Sequence, residues 1–268
     1  MNLGRSLAAT EFLSIEGSIG PHRRWAHSSS SLTDVKAVRR SFGGTVNDVV
    51  LAAVAGGYRT LLLERGEDAD HAVVRSLVPV SVRAADASAP DNRVSALLYA
   101  LPVHLADPLE RLRAVETQMV RQKGSGMPEA GELATTLADL APPMLVGAAS
   151  RAGIRLMHQL PQRSINTVTT NVPGPQIPLY CVGREMLEHR PYVPISHGLR
   201  IGTAILSYNG RLFFGVTGDY DTSPDVDVLA TAIADGILEL RDLAVAGETQ
   251  VSSTDRTGAG RTTTTPTG

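Results

Sequence analysis

The sequence is poor in the residues that build disulfide, zinc and nucleic-acid-binding proteins. Cys181 is the single cysteine among 268 residues, which excludes an intramolecular disulfide framework and a cysteine-cluster zinc site. The formal net charge is only −2, whereas a general nucleic-acid-binding protein needs a basic surface. Since 43% of the residues are hydrophobic, the chain is expected to fold around a large core.

The common catalytic motifs are also missing. The seven histidines include no H-E-x-x-H pair or other close metal cluster, and the sequence has no phosphate-binding P-loop and no dinucleotide fingerprint. It has no G-x-S-x-G elbow of a serine hydrolase. A lone histidine such as His104 or His197 is more often a packed or surface residue than a catalyst. The sequence therefore predicts no bound metal and no cofactor.

Long apolar runs are absent as well. No stretch of 18 or more consecutive apolar residues occurs, which predicts no transmembrane helix. The apolar segment after Arg5 is interrupted by Glu11 and Glu16, so no signal peptide is evident. Together with the single cysteine, these features predict a cytoplasmic protein, whose contacts with the inner membrane or with lipid inclusions would be peripheral.

The most informative segment that is present runs from Gly43 to Arg65. Its apolar residues recur at helical spacing and cover most of the helix surface, which indicates a helix buried in a core. Thr45 is a good N-cap, and Asp48 lies three residues later, where its carboxylate can complete a capping box. Gly56 and Gly57 weaken a helix, so we expect another element to pack very close to them.

Asn47 and Asp48 are the polar residues that open this apolar helix, and two interpretations are open. They can simply cap the helix. Alternatively, they orient a catalytic group or hold a loop at an active site. Spacing alone does not decide between these.

The remaining pattern predicts a mixed α/β (α+β) fold. Helices and strands come in blocks rather than in strict alternation, which indicates a mixed β-sheet covered by helices. We predict an irregular lead-in over residues 1–31, a domain over residues 32–242 and a disordered tail over residues 243–268. Within the domain we expect a strand over 73–82 in which Pro79 marks an edge or bulge, a doubly buried strand over 94–104, and a hairpin turning at Asn209-Gly210.

A basic segment lies in the middle of the chain. No Asp or Glu occurs between Leu140 and Arg184, whereas Arg151, Arg155 and Arg163 lie within this stretch. A basic amphipathic helix can lie on an anionic membrane or bind phosphate groups. The alternative is an ordinary solvated face.

Five segments resemble, in order, the second half of the bacterial wax ester synthase/diacylglycerol acyltransferase family. They are IGPHRR (19–24), GGTVNDVVLAA (43–53), LVPVSVR (77–83), NRVS (92–95) and NVPGP (171–175). The resemblance covers about residues 12–242. It implies a chloramphenicol-acetyltransferase-like half: a mixed sheet covered by helices, with a substrate tunnel between this half and another.

The resemblance also implies an activity. The family transfers an acyl group from acyl-CoA, a co-substrate, to a diacylglycerol or fatty alcohol, and the histidine of an HHxxxDG motif is the general base. Asn47 and Asp48 match a pair that supports the active site. The matches at the tunnel are Asn92, Arg93, Ser95, Asn171, Pro173, Gly174 and Pro175.

The sequence departs from the family at the catalytic motif. None of its histidines belongs to an HHxxxDG motif, so no residue is assigned as the base. We expect the isolated chain to be inactive or to need a separate N-terminal half as partner. Two other functions stay open: a non-catalytic module that binds lipid or CoA, and a degenerate remnant with an exposed apolar face.

Overall fold

The structure is a computed structural model that describes residues 12–81, 94–124, 165–196 and 198–258. Six strands in these ranges form its main sheet. In chain order, the elements of these ranges are β1 (Glu16–Gly17), β2 (Arg23–Ser31), α1 (Leu32–Phe42), α2 (Val46–Glu64), β3 (Val74–Ser81), β4 (Val94–Leu101), α3 (Pro108–Gly124), β5 (Thr167–Val172), β6 (Tyr180–Cys181), β7 (Arg184–Glu185), β8 (Gly198–Leu199), β9 (Ile201–Tyr208), β10 (Arg211–Asp219) and α4 (Val226–Gly258).

The main sheet is mixed. Its strand order is β2-β10-β9-β5-β3-β4, in which β5 runs parallel to both β9 and β3 and the other neighbours are antiparallel. Helices α1, α2 and α4 contact the main sheet, and α2 also contacts α1, α3 and α4. The expected fold class, a mixed sheet covered by helices, is therefore confirmed.

Helix α2 is the core helix, and both of its glycines are sites of close packing. A Cβ on Gly57 would lie 2.7 Å from Ile233 Cγ1 on α4. A Cβ on Gly56 would lie 3.0 Å from a guanidinium nitrogen of Arg111 on α3. The expectation of a close neighbour is confirmed at both positions. By length and composition α2 could also cross a membrane, but most of it is buried in this core.

The hairpin between β9 and β10 turns at the expected residues. Asn209 has φ 43° and Gly210 has φ 79°. Positive φ at both central residues is the signature of a type I′ turn, which matches the twist of the flanking strands and favours Asn-Gly.

The irregular lead-in predicted over residues 1–31 is wrong for residues 23–31, which form strand β2. This strand pairs along its whole length with β10, from Arg23 opposite Asp219 to Ser31 opposite Arg211. The run of serines has no apolar alternation and so resembles a loop. The small side chains nevertheless suit a strand under a helix, since the Ser28 hydroxyl donates to the carbonyl of Ala230 on α4.

The boundary of the predicted tail is also wrong, because α4 continues to Gly258. The apolar stripe that holds this helix on the core passes through Ile237 and Leu240 and reaches Ala244, which is 2% exposed. The stripe thus extends into the segment that composition alone classed as disordered.

Strands β3 and β4 occupy other places in the sheet than the sequence predicts. Strand β4 is an edge strand rather than a doubly buried one. On β4, Tyr99 and Leu101 are buried while Ala100 between them is exposed. Strand β3 is interior but pairs with β5 only at Ser76 and Leu77. Pro79, which has no N–H to donate, lies beyond that short ladder.

Candidate functional site

The N-terminal turn of α2 is built as its sequence predicts. Thr45 Oγ1 accepts a hydrogen bond from Asp48 N, at 3.2 Å, and Asp48 Oδ2 accepts from Thr45 N at 2.8 Å. These two bonds form the capping box. Thr45 Oγ1 also donates to Asp48 Oδ2 at 2.8 Å. Asp48 is only 5% exposed, so its carboxylate is held in place by the cap and lies at the positive end of the helix dipole.

Asn47 connects this helix end to the sheet. Asn171 Nδ2, near the carboxyl end of β5, donates to Asn47 Oδ1 at 3.0 Å. Both side chains are half-buried. The bond joins two residues separated by more than a hundred positions in the sequence, and it fixes the start of α2 against the end of β5.

The turn after β5 is fastened to β9. Gly174 N donates to Ser207 Oγ at 3.1 Å, and Asn209 N donates to the carbonyl of Pro175 at 3.1 Å. A Cβ at position 174 would clash with the Ser207 carbonyl oxygen. Only glycine therefore allows the Pro173-Gly174-Pro175 turn to lie this close to β9.

A row of buried hydroxyl groups lies beneath this corner. Tyr58 of α2 meets Thr167 Oγ1 at 2.6 Å, and Ser76 Oγ on β3 donates to Thr169 Oγ1 at 2.8 Å. Thr167 Oγ1 donates to the carbonyl of Ile201 at 2.9 Å. Thr167, Thr169 and Asn171 alternate along β5, so they share the face that α2 covers. The polar side of β5 thus runs from the core to the asparagine pair.

The charges near the α2 cap perturb their neighbours. Burial, then the nearby Asp48, raise the pKa of Glu116 on α3, and its Oε1 is buried without a hydrogen-bond partner in the described part of the chain. Burial, followed by Asp48, also raises the pKa of Tyr99, whose hydroxyl donates to the carbonyl of Val115. Both pKa shifts have the same two causes, burial and the proximity of Asp48.

The corner can position groups but contains no evident general base. Asn47 and Asn171 are neutral amides, and Asp48 Oδ2 accepts two hydrogen bonds from Thr45 in the cap. Four of the five described histidines contact other groups: His22 lies against the Tyr220 ring, His27 contacts Arg190, His71 contacts Asp68 and His189 lies against the Tyr208 ring. The fifth, His104, is exposed on the turn after β4 and lies outside the corner. Within residues 12–81, 94–124, 165–196 and 198–258, no three potential metal ligands come together.

The structure places part of the predicted site together. Asn47, Asp48, Asn171 and the Pro173-Gly174-Pro175 turn form one corner. Ser95 lies on β4, two strands from β5, opposite Val80 in the register. Five of the predicted residues lie outside the described residues, as does His197: Asn92, Arg93, Arg151, Arg155 and Arg163.

Several supporting residues were not singled out from the sequence. Asp219, which is 1% exposed, accepts from Gly20 N at 2.7 Å and from Thr222 Oγ1 at 2.7 Å. Arg23 Nη1 donates to the Gly20 carbonyl at 2.6 Å. These bonds give the Gly20-Pro21 turn of the IGPHRR segment a structural role. The hydroxyl row on β5 did carry a signal, the alternation of polar residues in TVTTNV.

The fold of this chain is chloramphenicol-acetyltransferase-like. A wax ester synthase/diacylglycerol acyltransferase from Marinobacter aquaeolei superimposes with a TM-score of 0.65 at 25% identity, over 88% of this chain and 52% of that one. The epimerization domain of tyrocidine synthetase B shares the fold alone, with a TM-score of 0.53 at 13% identity over 90% of this chain and 52% of that chain.

The family is shown by sequence. Residues 91–241 match the WS/DGAT C-terminal domain, and residues 5–50 match the wax ester synthase/diacylglycerol acyltransferase catalytic domain. This chain therefore belongs to the wax ester synthase/diacylglycerol acyltransferase family. It is 42% identical over 229 residues to the probable diacylglycerol O-acyltransferase tgs1 of Mycobacterium tuberculosis, covering 85% of this chain and 48% of that protein. The chain spans about half the length of the relatives it matches.

Proposed function

We propose that this chain forms one half of an acyl-CoA-dependent O-acyltransferase that acylates a diacylglycerol or a fatty alcohol. The family match supports the reaction class, and the names of the relatives support the acceptors. In this proposal the hydroxyl of the acceptor attacks the thioester carbonyl of acyl-CoA, and CoA leaves as the thiol. A histidine base from an HHxxxDG segment outside this sequence takes the hydroxyl proton.

The observation that carries the proposal is the bond between Asn47 and Asn171. Asn47 lies in the segment that matches the catalytic domain, and Asn171 lies in the segment that matches the C-terminal domain. The two meet at 3.0 Å. A polar contact between the two family segments, at the carboxyl end of an interior strand, supports an active-site corner rather than a cap alone.

The role proposed for this corner is positional. Asp48 fixes the first turn of α2 through the capping box, and α2 in turn holds Asn47 against Asn171. An error of about 1 Å in a supporting element can lower a rate about a hundredfold. The corner therefore holds the wall of the substrate tunnel in register with the base. The proposal also includes the substrate tunnel and a surface that binds phosphate or lipid, formed by Arg151, Arg155 and Arg163. It further places the protein in the cytoplasm, at the surface of the membrane or of lipid inclusions.

The first experiment measures acyl transfer from labelled acyl-CoA to diacylglycerol. The chain alone should give little product, because a general base typically contributes about 10² to 10⁴-fold. The chain combined with the part of tgs1 that it does not match should give product. Transfer by the chain alone at the rate of an intact relative would contradict the need for a second half, and His197 would then be the first residue to mutate. Binding of acyl-CoA with no transfer in either arm would favour a binding module.

The second experiment tests the corner in the combined enzyme. Asn171→Ala and Asn47→Ala should each lower the rate of transfer while the melting temperature changes little, since the bond joins half-buried neutral groups worth about 1 kcal/mol. The control is Gln118→Ala, which removes a half-buried amide of α3 that lies outside the corner. A loss of stability that fully accounts for the loss of rate would show that the asparagines serve only the fold.

A further inference from the structure

A small hairpin with an apolar surface follows the candidate site. We call residues 177–187 the apolar hairpin. Its strands β6 and β7 pair antiparallel, with Tyr180 opposite Glu185 and Cys181 opposite Arg184, and every residue of both strands is exposed. Four large apolar side chains of the hairpin are more than half exposed: Ile177 at 64%, Tyr180 at 64%, Val182 at 97% and Leu187 at 75%. Clustered exposure of this kind marks an interaction surface.

The tip of the hairpin is built against local preference. Val182 has φ 50° and Gly183 has φ 75°, so the two form the centre of a tight turn. Glycine, asparagine and aspartate adopt this conformation readily, whereas a β-branched residue rarely does. Such an outlier at an exposed position indicates a role beyond folding. Here the turn presents an apolar side chain at its outermost point.

The base of the hairpin is rigidly anchored. The hydroxyl of Tyr208, a residue that is 0% exposed, accepts a hydrogen bond from Leu179 N at 2.8 Å and donates to the carbonyl of Met186 at 2.8 Å. It therefore holds both legs of the hairpin. Tyr208 follows Ser207, which holds Gly174 at the candidate site, so the hairpin has a fixed position relative to that site.

The geometry favours a lipid layer over a protein as the occupant. Both strands are exposed on both faces, so a protein partner would have to enclose the hairpin, whereas a lipid layer surrounds any tip that enters it. The hairpin pairs its own backbone, including Met186 N with the Leu179 carbonyl at 2.8 Å, and paired backbone groups cost less to move into lipid.

The charges around the hairpin fit a lipid headgroup layer. Glu188 is neutralised by Arg190 and lies 3.6 Å from Arg211. Arg184 and Glu185 lie next to the tip. Tyr180 is also exposed there, and tyrosine is enriched at membrane–water interfaces. Because the local charge is nearly balanced, binding should depend on apolar contact more than on salt.

We propose that the apolar hairpin inserts its tip into the surface of a neutral lipid layer and so holds the candidate site at that surface. The inference rests on the proposed function in one respect, since a diacylglycerol acceptor is insoluble in water. The test measures binding alone, so it can fail or succeed independently of acyl transfer.

The single cysteine provides a direct probe of insertion. Cys181 is exposed and lies beside Val182, so an environment-sensitive fluorophore on its thiol reports the polarity at the tip. With phosphatidylcholine vesicles that contain dioleoylglycerol, we expect a blue shift of the emission and flotation of the chain with the vesicles. Both should persist at high salt. Absence of the blue shift would overturn the proposal.

Val182→Asn separates insertion from folding. Asn-Gly is the preferred pair for this turn, so the variant should be at least as stable as the wild type. Removing a large apolar side chain from lipid should nevertheless lower the partition coefficient about tenfold. Val120→Asn is the matched control, because Val120 on α3 is 72% exposed and lies outside the hairpin. Leu187→Asn, at the anchored end of the hairpin, should lower vesicle binding less than Val182→Asn does.

Two outcomes would refute the assignment. Equal vesicle binding by the wild type and by Val182→Asn would show that the tip does not enter lipid. A blue shift that requires the unmatched part of tgs1 instead of vesicles would assign the hairpin to the contact between two halves of the fold.

Discussion

Two glycines lie at the contact between α2 and α4, Gly57 on α2 and Gly236 on α4, and we predict opposite effects on stability when each is replaced by alanine. In a helix interior, Gly→Ala normally stabilises by about 1 kcal/mol. At Gly57 a new methyl group would lie 2.7 Å from Ile233 Cγ1 and 3.0 Å from Leu229 Cδ1, and the backbone nitrogen of Ile233 is 3.3 Å away. Both neighbouring side chains are 0% exposed, so neither can move aside into solvent.

The magnitude follows from these distances. Overpacking a core typically costs about 1–3 kcal/mol, which exceeds the gain in helix propensity. Gly57→Ala should therefore lower the free energy of unfolding by about 1–2 kcal/mol. Gly236 on α4 is the matched control, because a Cβ there would lie 3.5 Å from Ala53 Cα, an ordinary van der Waals contact. Gly236→Ala should raise the free energy of unfolding by about 0.5–1 kcal/mol.

The assay is urea unfolding of the wild type and both variants, with the midpoints compared at an unchanged m-value. A difference of about 2 kcal/mol between the two variants is expected. If Gly57→Ala is as stable as the wild type, or if Gly236→Ala loses as much stability as Gly57→Ala, the close approach of α2 and α4 at Gly57 is not what requires glycine there.

Two further predictions concern carboxylates. Burial, and then Asp48, raise the pKa of Glu116, so its ionisation destabilises the fold as pH rises through the window above the unfolded pKa. Glu116→Gln should raise the melting temperature at about pH 8 and not at about pH 3, and an equal gain at both would contradict this. Burial alone would raise the pKa of Asp219, but hydrogen bonds from Thr222 and Gly20 outweigh burial and lower that pKa. Its stabilisation is present above the unfolded pKa and is lost as pH falls, so Asp219→Asn should cost about 1–3 kcal/mol at neutral pH and converge with the wild type in acid.

Local signals in the sequence were sufficient for α2 and for the β9–β10 hairpin. Thr45 and Asp48 identify a capping box by spacing alone, and Asn209-Gly210 identifies its turn by backbone preference. Both features depend on residues close together in sequence, so their energies can be inferred without knowledge of the fold. The glycine pair of α2 was informative for a different reason. Glycine lowers the stability of a helix, so two adjacent glycines indicate that a close tertiary contact requires them.

Strand β2 could not be recognised in this way, because its stability comes from its partner. Ser28 to Ser31 have neither apolar character nor high strand propensity. They are ordered by β10 on one side and by α4 above, contacts that the sequence does not state. The edge position of β4 was missed for a related reason. A continuous apolar run is typical of a strand buried on both faces, but strand order depends on topology rather than on composition.

In the candidate site, too, the sequence indicated the individual residues but not the tertiary contact between them. The resemblance to the family selected Asn47 and Asn171 as separate matches, and neither periodicity nor spacing connected them. They meet because β5 lies between β9 and β3 and carries polar residues on the face that α2 covers. The parallel pairing of β5, which brings its carboxyl end to the start of α2, was the missing information.

The contacts that begin at Asn47 form one connected frame. The capping box fixes Asn47, Asn47 binds Asn171, and the turn after Asn171 is held by Ser207 of β9. The next residue on β9, Tyr208, anchors both legs of the apolar hairpin. The capping box lies within α2, and the other hydrogen bonds join α2, β5, β9 and the apolar hairpin, so the position of the hairpin is coupled to that of the corner. The arrangement therefore links the corner that contains Asn47 to Val182, the most exposed large apolar residue of the described chain, and it would give the proposed reaction and the proposed contact with lipid a common structural base.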